Sequence, residues 1–172
     1  MPSTTFNHLP TDKKDRITAA LLTEFSNYGL AEAQVARIVA NAEIARGAFY
    51  KYFADLTDAY QYLYQQALQT IHRDAGGDER QTFDAERVYQ GVVAFVDRVN
   101  DSDYYEFIRR HYAENESLLP THPVSTALPA VAWAAMVLSH AAIKEILLQP
   151  THEALVRERL RTTLRALQGK KV

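Results

Sequence analysis

The chain has 172 residues, is 47% hydrophobic and 23% charged, and contains no cysteine. That length suits one sizeable domain or two small ones sharing an element, and the composition is globular rather than disordered or membrane-embedded. A net charge of −2 and the missing thiols exclude bulk positive charge as an argument for nucleic-acid binding, a disulfide framework and a thiolate metal centre.

The opening stretch MPSTTFNHLPTDKKDR lacks the basic-then-apolar layout of a signal peptide. The longest apolar run, Ala130 to Ile146, is interrupted by His140, Lys144 and Glu145 and falls short of a membrane span. A cytoplasmic location with no membrane partner is expected. Helical periodicity runs throughout without strand alternation, so the expected fold class is all-α with about eight helices.

Residues 1–10 read as a loose arm. Thr11 or Asp12 caps a first helix reaching Asn27, with Ile17, Leu21, Phe25 and Tyr28 as its stripe and Gly29 as its stop. Val35, Ile38, Val39 and Ala42 give a second, short helix one apolar face. A break at Glu43–Ile44 leads to a third helix, Arg46 to Tyr52. Asp55 is placed to cap a fourth, 56–74, with Leu56, Tyr60, Leu63, Ala67 and Ile71 in line. Gly76–Thr82 reads as a polar loop. A fifth helix follows over 84–99, a turn at Asn100–Ser102, and a sixth helix over 103–117. Pro120 and Pro123 mark a loop. The seventh helix, 126–148, is apolar on nearly every side and must be covered all round. Thr151 caps an eighth, reaching Leu167.

The stretch NAEIARGAFYKYFAD, residues 41–55, concentrates four aromatics beside Arg46, Gly47 and Lys51. On a helix, Phe49, Tyr52 and Phe53 share one side and can lock it onto its neighbours. Arg46 and Tyr50 lie one turn apart on another side, with Gly47 and Ala48 between them and Lys51 near the rim. A small, flat face edged by a guanidinium, a phenol and an ammonium suits a helix that enters a DNA major groove. With the short helix before it, this makes a helix-turn-helix.

The segment from Arg16 to Leu63 resembles the DNA-binding region of TetR/AcrR-type bacterial transcriptional regulators. The residues that carry the likeness run from Ile17, Ala20, Leu21 and Phe25 through Gly29, Val35, Ile38, Val39, Ala42 and Ile44 to the run RGAFYKYF. Where the family usually has Thr or Ser near the start of the second helix, this chain has Ala33 and Gln34. Its turn glycine is replaced by Glu43, its capping Ser by Ala45, and the basic residue opening the fourth helix by Leu56. The resemblance implies a three-helix DNA-binding head, residues 1–55, and a ligand-binding and dimerisation bundle, residues 56–172. It implies DNA contacts from Arg46, Gly47, Ala48, Tyr50, Lys51 and Tyr52, with Gln34 and Arg37 replacing contacts the departures remove.

The remainder is rich in tyrosine. Core packing accounts for any one of these rings singly. Collectively, the resemblance implies a cavity walled by Tyr60, Tyr64, Tyr89, Tyr104, Phe107, His111 and Trp133, suited to a small apolar or aromatic inducer. It also implies a homodimer through the last two helices, with Val137, Leu160 and Leu164 at the seam, binding a roughly palindromic double-stranded operator. No cofactor or metal is expected, because the histidines lack ligand spacing with carboxylates. No nucleophile constellation points to an enzyme. The expected function is a ligand-responsive regulator, a repressor in most of the family. The alternative is a helical small-molecule-binding protein with weakened DNA affinity.

Overall fold

The computed structural model describes residues 2–71, 83–119 and 128–169. Among the described residues it is all-α, without strands: α1 (Thr4–Asn7), α2 (Thr11–Asn27), α3 (Val35–Asn41), α4 (Arg46–Tyr52), α5 (Leu56–Ile71), α6 (Ala85–Asn100), α7 (Tyr105–Arg110), α8 (Ala130–Leu148) and α9 (Glu153–Gly169). A π-helical turn, His111–Asn115, and a 3₁₀ turn, Glu116–Leu118, extend α7. The expected loops at Gly76–Thr82 and at Pro120 and Pro123, and the helical residues 72–74 and 126–127, lie outside the described residues. The chain divides into two compact units, Met1–Thr70 with Asp103–Pro120, and Ile71–Ser102 with Thr121–Val172.

In the first unit, the expected loose arm is instead a short helix, α1, whose Phe6 is fully buried. Four residues carry too little periodicity to be read locally. Pro10, not Thr11 or Asp12, stands at the cap position of α2; its fixed φ suits the entry to a helix. Ile17, Leu21 and Phe25 face the core as expected, whereas Tyr28 sits exposed at the end of α2. α5 opens as expected on Asp55, whose Oδ1 accepts from the Asp58 N–H (2.7 Å). Asp58 Oδ2 accepts from the Ala54 N–H in return (3.0 Å), a reciprocal arrangement like a capping box. α5 is buried on two sides. Tyr60 and Leu63 are fully enclosed, and Tyr62 packs against Phe6 and Phe53 (5.0 and 5.7 Å between ring centroids).

The second unit packs α6, α8 and α9 around Val92, Val96, Ala135, Ile146, Val156 and Leu160, with Leu164 fully enclosed. Asp84 caps α6, accepting from the N–H groups of Glu86 and Arg87 (2.9 and 3.0 Å). Gln168 near the end of α9 accepts from the Ala85 N–H (3.0 Å). A 3₁₀ turn, Pro150–His152, precedes α9, so Thr151 lies inside that turn rather than at the helix cap. The apolar run read as too interrupted to span a membrane forms α8, which by length and composition alone is long and apolar enough to cross one. Its charges, Lys144 and Glu145, both lie near its C-terminal end.

An ionic ladder ties α9 to α6. Arg161 donates to both carboxylate oxygens of Glu86 (2.7 and 3.1 Å), Arg165 adds a third bond (3.1 Å), and Arg157 reaches Asp97 (2.6 Å). The hydrogen bonds from Arg161, then Gln90, bring the Glu86 carboxyl down to about 2. A depressed carboxyl stabilises the fold above its ordinary value and loses that contribution as pH falls towards the folded value. Glu86→Gln should therefore lower the melting temperature at neutral pH. The gap to wild type should narrow as pH falls from 4.5 towards 2, as thermal melts across that range would show.

Candidate nucleic-acid interface

α3 and α4 form the helix-turn-helix, and the start of α3 is held from α2. Gln34 precedes α3 without a cap bond of its own. Instead the buried Glu24 carboxylate on α2 accepts from the Gln34 N–H (2.7 Å) and from Arg37 Nε and Nη2 (2.6–3.0 Å). The Arg37 guanidinium also lies 3.8 Å from the centroid of the Tyr28 ring, a cation–π contact. Its hydrogen bonds to Glu24 push its pKa further above the ordinary value. Sequence reasoning placed Arg37 among the DNA contacts and gave Glu24 no role; here Arg37 holds α3 against α2. The signal was the charged residue inside the apolar stripe of α2.

The turn between α3 and α4 runs through Glu43 at φ 51°. That is the left-handed region where glycine is usual, and a residue with a Cβ there is held at a cost of about 1–2 kcal/mol. Arg16 Nε donates to the Ala42 carbonyl (2.9 Å), closing the end of α3, and Nη1 lies 3.9 Å from the exposed Glu43 carboxylate.

α4 divides as the spacing predicts. Phe49 is fully buried, Phe53 just beyond its end is nearly so, and their rings lie 5.5 Å apart. Opposite them Arg46, Gly47 and Lys51 are exposed, Tyr50 is 51% exposed, and Ala48 is partly covered. A Cβ added at Gly47 would meet nothing within 4 Å, so no protein neighbour requires glycine there. Tyr52, expected at the interface, has its ring buried beside Phe6 (5.8 Å) and anchors the helix instead. Gln34 is exposed at the start of α3.

A two-turn helix fixed by aromatics thus offers a small exposed face edged by Arg46, Tyr50 and Lys51. Residues 17–56 match the family model of bacterial regulatory proteins, tetR family. The matched segment, α2 to the start of α5, is similar to the DNA-binding head of that family. A TetR family transcriptional regulator from Chloroflexus aurantiacus J-10-FL has a similar solved structure: 19% identity, 98% of this chain and 97% of that chain covered, TM-score 0.55. At that identity the likeness is one of fold. No curated protein matches the chain.

In the first unit, four of the seven residues expected to wall a ligand cavity meet. Tyr60 is fully buried, against Phe25 and Phe107 (5.0 and 5.1 Å), and His111 stacks on Tyr64 at 4.2 Å. Burial raises the Tyr60 phenol well above its ordinary value and pushes Tyr64 up to about 12. Asn115, fully buried on the π turn, donates to the Tyr60 hydroxyl (3.3 Å), and that hydroxyl lies 3.1 Å from His111 Nδ1. Whether the phenol or Nδ1 donates in that bond follows the tautomer of His111. Asn115 Oδ1 accepts from the Leu30 N–H (2.8 Å), while Arg110 donates to the Ser26 carbonyl (3.2 Å). The π turn is thereby fastened to the α2–α3 corner.

Tyr104 precedes α7, partly buried, in the same unit. Tyr89 and Trp133 belong to the second unit, where Tyr89 packs against the core and Trp133 stands 50% exposed on α8. A groove of about 150 Å³ between α8 and α9 is lined by Leu138, Ala142, Glu145, Val156, Arg159 and Leu160. Of the expected dimer-seam residues, Val137 is exposed and Leu160 lines this groove. Leu164 is wholly enclosed in its own unit, so it is a core residue there.

Tyr60→Phe takes one partner from each of two buried groups, His111 and Asn115. It should destabilise the protein by about 1–3 kcal/mol, measured by urea unfolding.

Proposed function

We propose that the chain is a ligand-responsive transcriptional regulator, a repressor that binds a roughly palindromic operator as a homodimer and is released by a small apolar or aromatic inducer. The observation that carries this reading is the division of α4 within the matched segment: aromatics bury one side, while Arg46, Tyr50 and Lys51 are exposed on the other. Arg46 is suited to guanine O6 and N7 or to a phosphate, and Tyr50 and Lys51 to phosphates. Gly47 and Ala48 let the backbone approach the groove. Residues 1–55 supply these contacts, and 56–172 the ligand and dimer functions.

The dimer is supported by α8. Trp133, Met136 and Val137, spaced i, i+3 and i+4, are exposed together on a helix that is apolar on nearly every side. Apolar surface gathered in this way marks an interaction site. A second copy related by a two-fold axis covers it and presents two recognition helices to two half-sites.

The inducer acts on the aromatic group around His111. A ligand that separates Tyr64 from His111 disturbs Tyr60 and Asn115, and through Asn115 the Leu30 N–H at the α2–α3 corner. It shifts the population only by its differential affinity for the two arrangements.

The test is selection of DNA from a random-sequence pool by the full chain, followed by a salt-dependent mobility shift. Arg46→Ala should weaken binding to the selected duplex by roughly 1–3 kcal/mol if its contact is bidentate to a base, and Tyr50→Phe by less. Both should melt like wild type. Failure of the wild-type chain to enrich any sequence, or variants that bind unchanged, would overturn the reading. Sedimentation should give a dimer at micromolar concentration, and Val137→Glu should shift it towards monomer without loss of helical signal.

A further inference from the structure

The proposed DNA-reading helix cannot hold its own ends. α4 has seven residues and no side-chain cap from Ala45 at its start, and an isolated helix of that length is unstable in water. At its C-terminal end the carbonyls of Lys51 and Tyr52 find a partner in Ser3, 48 residues away from Lys51 in sequence. The Ser3 N–H donates to the Tyr52 carbonyl (2.9 Å), and Ser3 Oγ donates to the Lys51 carbonyl (2.6 Å). The same hydroxyl accepts from the Phe6 N–H (3.2 Å), so one side chain starts α1 and finishes α4. Three residues on, the fully buried Phe6 ring sits 4.9 Å from Phe53, 5.0 Å from Tyr62 and 5.8 Å from Tyr52. Lys14 on α2 donates to the Asn7 carbonyl (3.0 Å), tying down the far end of α1.

We infer that residues 3–7 are a clamp that sets the direction of the recognition helix, with Ser3 and Phe6 as positioning residues for DNA binding. This rests on the operator-binding reading above. The clamp acts where it matters for that reading, since the carbonyl it holds belongs to Lys51, whose side chain edges the exposed face. Neither residue needs to touch DNA. Ser3 fixes the last turn by hydrogen bonds, and Phe6 fixes it by joining α4 to α5 through Phe53 and Tyr62.

The Ser3 hydroxyl must both donate and accept, and that makes the test specific. Ser3→Ala loses both bonds. Ser3→Thr keeps them. Ser3→Asp keeps the acceptor for Phe6 but, when ionised, has no proton for the Lys51 carbonyl and places a negative charge at the negative end of α4. Amide hydrogen exchange is measured on the full chain without DNA, and affinity is measured for the duplex that wild type selects from a random pool. Ser3→Ala and Ser3→Asp should accelerate exchange in α4 while leaving α6, α8 and α9 as in wild type, and should weaken duplex binding about tenfold. Ser3→Thr should restore both. Unchanged α4 exchange in Ser3→Ala, a uniform rise across all helices, or unchanged affinity would each overturn the clamp. Should wild type select no duplex, the operator-binding reading fails, and the exchange measurement still decides whether residues 3–7 hold α4.

Discussion

A helix of seven residues has about two turns, too few for its own hydrogen bonds to outweigh the ordering of its backbone. α4 is such a helix and lacks a capping side chain. Its order comes from one side, where Phe49 and Phe53 are buried beside Phe6, Tyr52 and Tyr62 in a chain of ring contacts 4.9–5.8 Å long at each step. Those rings leave Arg46, Gly47 and Lys51 exposed on the opposite side, with the half-exposed Tyr50 ring edge-on to Phe49 (5.3 Å). The exposed positions of Arg46, Gly47, Tyr50 and Lys51 follow from that division, as does the use the chain can make of them.

The same economy governs the rest of the helix-turn-helix. α3, equally short, has no cap of its own and relies on Glu24, a buried carboxylate satisfied by Arg37 and the Gln34 N–H. A buried charge is tolerable only when paired and hydrogen-bonded, so Glu24, Arg37 and the start of α3 stand or fall together. A second buried polar chain, from Leu30 through Asn115 and Tyr60 to His111, fastens the π turn to the α2–α3 corner. π turns widen the helix and are frequent at functional sites. In this one, the residues that touch the α2–α3 corner and those that stack on Tyr64 lie on the same short turn.

Much of this was legible in the sequence because it is periodic. The i, i+3, i+4 spacing of Phe49, Tyr52 and Phe53 separated the anchor from the exposed face, and the stripe of Ile17, Leu21 and Phe25 placed α2. What was illegible depends on partners far apart in the chain. Phe6 looks like a lone aromatic in a polar arm, since its neighbours are Phe53 and Tyr62. Glu24 interrupts the apolar side of α2, but its partner, Arg37, lies 13 residues along the chain. The stretch 103–117 reads as one helix, because local spacing does not distinguish a π turn from an α turn. For α8, apolar on nearly all sides, periodicity could not tell which face its own unit covers. Trp133, expected to wall a ligand cavity, is half exposed; Leu164 on α9, expected at a dimer seam, is enclosed in its own unit.

The central claim is that the small face of α4 is the surface that meets DNA, and amide chemical-shift mapping of the full chain tests it most directly. On titration with a duplex that the protein itself selects, the account predicts that the largest shifts fall at Arg46–Lys51 and at the start of α3 around Gln34. The buried anchors Phe49 and Phe53 should keep their slow exchange. Shifts concentrated in α6, α8 or α9, with Arg46–Lys51 unmoved, would contradict it.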